Sequence, residues 1–254
     1  MTRTFKEALA TPQYGLFCNL GSAIAVEALA HSGFGFLIID GEHAPLSLPL
    51  VHAQLMALAA SPTAAVVRVP SNDIVAIKQC LDLGPDGLMV PMIDTAEQAR
   101  DAVRHARYPQ AGVRGIHSVT RATRYGRDKS YIHEAASRCA LILQVESPTG
   151  LANLESICAV DGVDAIFFGP ADYSANAGLI GQPRHPDVQA AMEEGVRRVR
   201  ACGRIAGLMT HEAAAPRFVE AGATLLAVGM DTGLLVASAD GLASRLKAPA
   251  QPPM

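Results

Sequence analysis

The sequence predicts an α/β fold, a (β/α)8 TIM barrel built as a single domain over residues 1–254, with 248–254 as a flexible tail. Three observations point there. Eight short apolar runs alternate with helix-like stretches. No break in composition divides the chain. Its length is also about what one such barrel takes. A doubly wound open sheet is the competing architecture. No GxGxxG or GxxxxGK(S/T) follows any strand, so the usual nucleotide cradles are absent.

Residues 4–9 read as a short leading helix, and GLFCNL (15–20) as the first strand. Ser22 is a plausible N-cap for the helix that follows. FGFLIID (34–40) is the second strand, followed by a loop and a helix over about 48–60. AAVVRVP (64–70) is the third, with Asn72 or Asp73 capping the next helix. GLMVPMI (87–93) is the fourth, and Asp94 or Thr95 caps a helix to about residue 107. An irregular stretch, 108–130, then interrupts the rhythm before a helix and the fifth strand at Leu141. DAIFFG (164–169), RIAGLM (204–209) and TLLAVGM (224–230) complete the eight, and a helix over about 235–247 closes the chain.

Half of the residues are hydrophobic and 18% are charged, which assures a sizeable core. A net charge of -3 argues against general affinity for nucleic acid or an anionic membrane. Aromatic residues make up 5%, with no Trp to build a base-stacking platform. Cys18, Cys80, Cys139, Cys158 and Cys202 are widely spaced, with no CxxC, and fit a reducing compartment. No apolar leader opens the chain and no run approaches the roughly 18 apolar residues of a membrane span. A soluble cytoplasmic protein is expected.

The chemistry centres on LILQVESP (141–148), a buried strand carrying Gln144 and Glu146 at its C-terminal end. Alternation places both on one face. A carboxylate on an otherwise apolar face is costly unless a cation or donor answers it. Asp172 follows one strand later, just past a Gly-Pro turn. The C-terminal rim of such a barrel builds the site. Other polar residues expected there are Asn19, Asp40, Glu42, His43, Arg68 and Asp231. Singly, each has an ordinary explanation, such as a loop hydrogen bond or a buried ion pair. Arg68 among β-branched residues does require an anionic partner.

Two carboxylates with no HxH or HExxH pair make an oxygen-rich site that suits Mg2+ or Mn2+ better than a structural zinc. An arginine beside it favours an anionic group, and a histidine supplies acid–base work near neutral pH. Together they suit a 2-oxo acid on which an enolate develops. Lys6, Lys78, Lys129 and Lys247 all lie off the predicted strands, so the strand-borne lysine of a Schiff-base aldolase is missing.

The stretches LIIDGEHAP, VVRVP, VPMIDTAEQARDAV, RYPQAGVRGI, QVES, FFGPADYSANAG and AVGMDTGLL resemble, in this order, the metal-dependent (class II) pyruvate aldolases of the HpcH/HpaI family. The resemblance spans about residues 17–246. It implies an aldolase that splits 4-hydroxy-2-oxo acids into pyruvate and an aldehyde. It implies that Glu146 and Asp172 bind a divalent cation, Mg2+, Mn2+ or Co2+. His43 would be the acid–base residue and Arg68 would stabilise the enolate oxygen. Gln144 and the backbone around Gly169, Pro170 and Ala171, with Asp172, would hold the pyruvyl group.

The family also implies a carboxylate, here Asp82, that raises the basicity of His43. Asp82 precedes the fourth strand, at the opposite end of its own barrel, so it is expected to act across a subunit interface. Asp40 is the local alternative. A homo-oligomer, commonly a hexamer, is implied, with the last helix exchanged between neighbours. TGLLVASADGLASRL fits that helix, though it equally fits an eighth barrel helix.

Phe34-Gly35-Phe36 stands where relatives often carry an acid and a Trp. The loop with Arg114, Arg121, Arg124 and Arg127 either receives an acidic aldehyde or is solvated or interfacial. The aldehyde thus stays open among acid semialdehydes, lactaldehyde or glyceraldehyde types, and tartronate semialdehyde. The competing functions are a citrate-lyase-β-like acyl-CoA lyase, a decarboxylase or Diels–Alder-like enzyme on the same enolate, and a non-catalytic metabolite-binding barrel.

Overall fold

Each predicted apolar run forms a parallel strand hydrogen-bonded to the next, and the eighth returns to the first, closing the barrel. The computed structural model describes residues 4–247, so the predicted tail lies outside the described residues. In chain order the elements are α1 (Phe5–Ala8), β1 (Gln13–Cys18), α2 (Ala23–Ala30), β2 (Phe36–Asp40) and α3 (Leu48–Leu58). Then come β3 (Ala64–Arg68), α4 (Ile74–Asp82), β4 (Gly87–Val90), α5 (Ala96–Ala106), α6 (Tyr131–Arg138) and β5 (Ala140–Val145). The next are α7 (Pro148–Ala152), α8 (Leu154–Cys158), β6 (Ala165–Phe168), α9 (Pro170–Asn176) and α10 (Pro186–Ala201). β7 (Ile205–Met209), α11 (Ala215–Glu220), β8 (Leu225–Met230) and α12 (Asp231–Lys247) complete the chain.

The two-residue period of a strand sorts the core into two bodies. Phe17, Phe36, Ile38, Val66, Met89, Ile142, Phe167 and Leu225 fill the barrel interior, which Phe5 and Leu9 plug from below. Leu37, Ile39, Val67, Leu88, Leu143 and Phe168 point outward into the layer beneath the helices. Following the inward series to the strand ends leads to the polar residues. Phe36 and Ile38 are followed by Asp40, Val66 by Arg68, and Ile142 by Gln144 and Glu146.

Caps set the helix starts as residue type dictates. Ser22 accepts from the Ala25 N–H, Asp73 rather than Asn72 accepts from Val75 and Ala76, and Thr95 forms a capping box with Gln98. Some boundaries differ from expectation. The first strand starts two residues early and ends at Cys18. The fourth stops at Val90, because Pro91 has no N–H and Met92 turns away with φ 59. The last helix begins at Asp231 instead of residue 235.

That helix, α12, does not pack as an eighth barrel helix. Its only buried residue is Asp231, while Leu234, Leu235, Val236, Leu242 and Leu246 are exposed. Among the described residues, no helix is long and apolar enough to cross a membrane.

Candidate active site

Asp40 and Arg68 end adjacent strands and lie directly opposite each other in the β2–β3 register. The Asp40 carboxylate accepts from Arg68 Nε at 2.8 Å and Nη2 at 2.7 Å, a fork that satisfies both of its oxygens. Oδ2 also accepts from Asn19 Nδ2 at 2.6 Å, and Oδ1 from the backbone N–H groups of Glu42 and His43. Burial alone would raise the Asp40 pKa. The hydrogen bonds and charge of Arg68, with the two backbone donors, outweigh it and hold the carboxyl below its ordinary value.

Arg68 passes the network on. Its guanidinium lies 4.7 Å from the Phe17 ring centroid, and Nη1 donates to Gln144 Oε1 at 3.4 Å. Gln144 Nε2 in turn donates to Glu146 Oε2. The other Glu146 oxygen accepts from the Met92 backbone N–H at 3.0 Å. Met92 reaches that position in a left-handed conformation unusual for its side chain. Gly169 leaves the room that Glu146 needs, since a Cβ there would collide with Oε2 and sit 3.0 Å from Gln144 Nε2. Burial, joined by the charges of Asp172 and Glu42, outweighs the two hydrogen bonds and pushes the Glu146 pKa up to about 7.

Glu42 sits between the network and His43. Its Oε2 is 3.1 Å from Arg68 Nη1 and 3.7 Å from His43 Nε2, yet has the alignment of a hydrogen bond with neither. Burial raises its pKa despite the nearby Arg68 and His43. The His43 side chain is 60% exposed, so a substrate can reach it. His43, Arg68, Gln144, Gly169, Pro170, Ala171 and Asp172 all line a cavity of about 460 Å³ at the C-terminal mouth of the barrel, a usual size for a small-molecule site.

The donor set fits a divalent cation. Among the described residues there is no cluster of three or more His, Cys, Asp or Glu able to hold a metal, and the acids that face each other here are Glu146 and Asp172, close enough for the Asp172 charge to act on Glu146. Both are hard oxygen donors. Ionising Glu146 beside Asp172 and Glu42 is unfavourable without a positive charge. The buried acceptors Asn19 Oδ1 and Glu42 Oε2 also lack hydrogen-bond partners, leaving polar capacity for a hydrated ion or a substrate hydroxyl.

Other expectations land elsewhere. The Asp40 carboxylate reaches His43 through the backbone N–H, while the imidazole faces Glu42. Asp231 accepts from the backbone N–H groups of Asn19 and Leu20, clamping the start of α12 to the β1 loop. Asp82 is remote from the cavity of its own chain and pairs with Arg114 at 2.7 Å. That guanidinium, 1% exposed, stacks 4.4 Å from the Tyr108 ring centroid. Arg121, Arg124 and Arg127 line a separate cavity with Asp86 and Arg138, at the N-terminal end of the strands. They do not enter the mouth of their own barrel.

The mouth also holds residues not anticipated from the sequence, namely Arg184, Thr210, His211 and Met230. His211 stands two residues past β7, where the rim rule alone would have flagged it. Arg184 lies in the α9–α10 loop, with no sequence signal to mark it.

Residues 13–238 match the model of the HpcH/HpaI aldolase/citrate lyase family. The chain is 47% identical over 252 residues to a 4-hydroxy-2-oxo-heptane-1,7-dioate aldolase of Salmonella arizonae, covering 98% of this chain and 96% of that one. It is 48% identical to the Klebsiella pneumoniae protein of the same name, over 96% of this chain and 94% of that one. The crystal structure of a family protein from Burkholderia cenocepacia superposes with a TM-score of 0.92 at 38% identity, over 97% of this chain and all of that one. The chain belongs to the HpcH/HpaI aldolase/citrate lyase family and is an aldolase, a carbon–carbon lyase.

Proposed function

We propose that the protein cleaves and forms 4-hydroxy-2-oxo acids, exchanging them with pyruvate and an aldehyde in the presence of a divalent cation. The observation that carries this is the continuous chain Asp40–Arg68–Gln144–Glu146, whose first three members line the cavity together with Asp172 while Glu146 lies behind Gln144. Glu146 and Asp172 are the residues to hold the cation, and the set suits Mg2+, Mn2+ or Co2+. When bound, a divalent ion supplies Lewis-acid polarisation of the 2-oxo group.

The side chains divide the remaining work. Gln144 and the backbone at Gly169, Pro170 and Ala171 orient the pyruvyl end. His43 takes the proton from the C4 hydroxyl as the C3–C4 bond breaks, so the hydroxyl carbon leaves as an aldehyde. The electron pair of that bond becomes the enolate of pyruvate, and Arg68, held rigid by Asp40, stabilises the developing charge on its oxygen. Proton return to C3 gives pyruvate. The substrate for which the Salmonella and Klebsiella relatives are named, 4-hydroxy-2-oxo-heptane-1,7-dioate, is the first member of the class to assay.

We also infer a homo-oligomer in which α12 packs on a neighbour and Asp82 of one subunit serves His43 of another. The five exposed apolar residues of α12 and the distance of Asp82 from its own cavity support this. Pyruvate release from a panel of 4-hydroxy-2-oxo acids, with and without a chelator, tests the catalytic reading. Cation-dependent release supports it. Absence of release from every member refutes it.

A further inference from the structure

Two guanidinium groups line the 460 Å³ cavity, and they differ in one respect. Arg68 is 8% exposed and neutralised by Asp40 and Glu42. Arg184 is exposed and makes no hydrogen bond or ion pair with any described residue. It is therefore the cation in this mouth whose charge is free to meet a ligand.

Its backbone is nonetheless held in place. Gln189, in the first turns of α10, donates Nε2 to the Pro183 carbonyl at 2.8 Å. The His185 N–H donates to Gln182 O at 3.0 Å, and the His185 side chain caps α10. A charged group carried on such a braced turn loses less freedom on binding than one on a slack loop.

His211 lines the same cavity from the end of β7, with no side-chain partner among the described residues. Its position is set by Thr210 N–H on Ala227 O at 2.8 Å, and by Ala214 and Ala215 N–H on its own carbonyl. Phe167, Met209 and Met230 give the cavity apolar lining as well. An apolar wall together with an unpaired cation suits a chain of methylenes ending in an anion.

We propose that Arg184, assisted by His211, binds a second carboxylate at the aldehyde end of the substrate. Arg184 would then be the residue by which this enzyme tells a dicarboxylate, the substrate type named for the Salmonella and Klebsiella relatives, from a chain with an uncharged end. This rests on the aldolase reading above and assigns the specificity of that same site. The arginines of the 108–130 stretch, at the other end of the barrel, are not needed for it.

The test compares kcat/KM for two substrates of equal chain length, 4-hydroxy-2-oxoheptane-1,7-dioate and 4-hydroxy-2-oxoheptanoate, in wild type, Arg184→Gln, Arg184→Lys and His211→Ala. The readout is the ratio of the two values within each protein, so that any loss of folded enzyme cancels. The ratio should favour the dioate in wild type and fall by about tenfold or more in Arg184→Gln, the usual worth of a charged hydrogen bond. Arg184→Lys should keep an intermediate ratio, since it retains charge without the planar fork. His211→Ala should lower the ratio by less. A ratio unchanged in Arg184→Gln, with both substrates still cleaved, overturns the assignment and leaves the aldolase reading standing. If wild type cleaves neither substrate but releases pyruvate from other 4-hydroxy-2-oxo acids, the assignment alone falls; release from none of them overturns the aldolase reading as well.

Discussion

Arg68 stands opposite Asp40 across the β2–β3 pair, and its Nε and Nη2 take the two Asp40 oxygens at 2.8 and 2.7 Å. Both side chains are buried, so the pair rests on mutual neutralisation and not on solvent. Its effect is to aim the remaining guanidinium nitrogen, Nη1, at Gln144 and Glu42. A lysine at position 68 offers one point charge in place of this fork. Arg68→Lys should therefore lower kcat by about 100-fold, the scale of one lost transition-state donor. Pyruvate release measured by coupled lactate dehydrogenase checks this.

Removing one partner of the buried pair should cost more in stability than in any local contact. Asp40→Ala strips the guanidinium of its bidentate partner and leaves it only Glu42 at 3.1 Å, a loss of about 3 kcal/mol. For a chain of this size that lowers Tm by roughly 6–12 °C, read by calorimetry. The pH dependence follows from the direction of the Asp40 shift. Its folded pKa is held below the ordinary value, so the stability it contributes is present above an unfolded pKa near 3.8 and is lost as pH falls through the lower, folded one. The gap in unfolding free energy between wild type and Asp40→Asn should thus narrow as the pH is taken from about 5 to about 3.

His43 is the reverse case, a solvent-facing side chain with little structural duty. His43→Ala should lose at least about 100-fold in kcat, the scale of a general base, while Tm stays within about 1 °C of wild type. A matching loss of Tm would mark the residue as structural.

Much of this site is legible along the strands. Asp40, Arg68, Gln144 and Glu146 each continue an inward-facing apolar series, so period-two counting reaches them directly. Loops are a different matter, because chain spacing does not fix where they return. Glu42 was visible as a rim residue, but its place between Arg68 and His43 depends on how the GEHAP loop folds over the strand. Met92 contributes only a backbone N–H, presented by a conformation that its side chain does not favour. Arg184 comes to the mouth because α9 ends at Asn176 and the chain loops before α10, a break that helix periodicity did not announce. Asp231 carries the residue type of a site acid but spends both oxygens on the β1 loop.

The shared-site inference has its own test. Mixed oligomers refolded from His43→Ala and Asp82→Ala chains should regain activity that neither variant has alone, because some mouths would combine an intact His43 with an intact Asp82. Without any regain, Asp82 acts within its own subunit or through its pairing with Arg114. Leu235→Asp with Val236→Asp, on the exposed face of α12, should shift the protein to a smaller species in sedimentation.

Loss of Glu146, the proposed cation ligand, should be the most severe change at the site. Glu146→Gln keeps the shape but removes the charge, and several kcal/mol of lost charge stabilisation corresponds to about a 1000-fold fall in kcat or more. Added Mn2+ should raise the Tm of wild type and leave that of the variant unmoved.

Enolate formation can be observed without any aldehyde, through exchange of the C3 protons of pyruvate for deuterium in D2O followed by NMR. Wild type with Mg2+ or Mn2+ should exchange them, with the exchange abolished by a chelator, restored by the cation and slowed in Arg68→Lys. Exchange indifferent to the chelator, or cleavage of a 4-hydroxy-2-oxo acid with no exchange at all, would contradict the account.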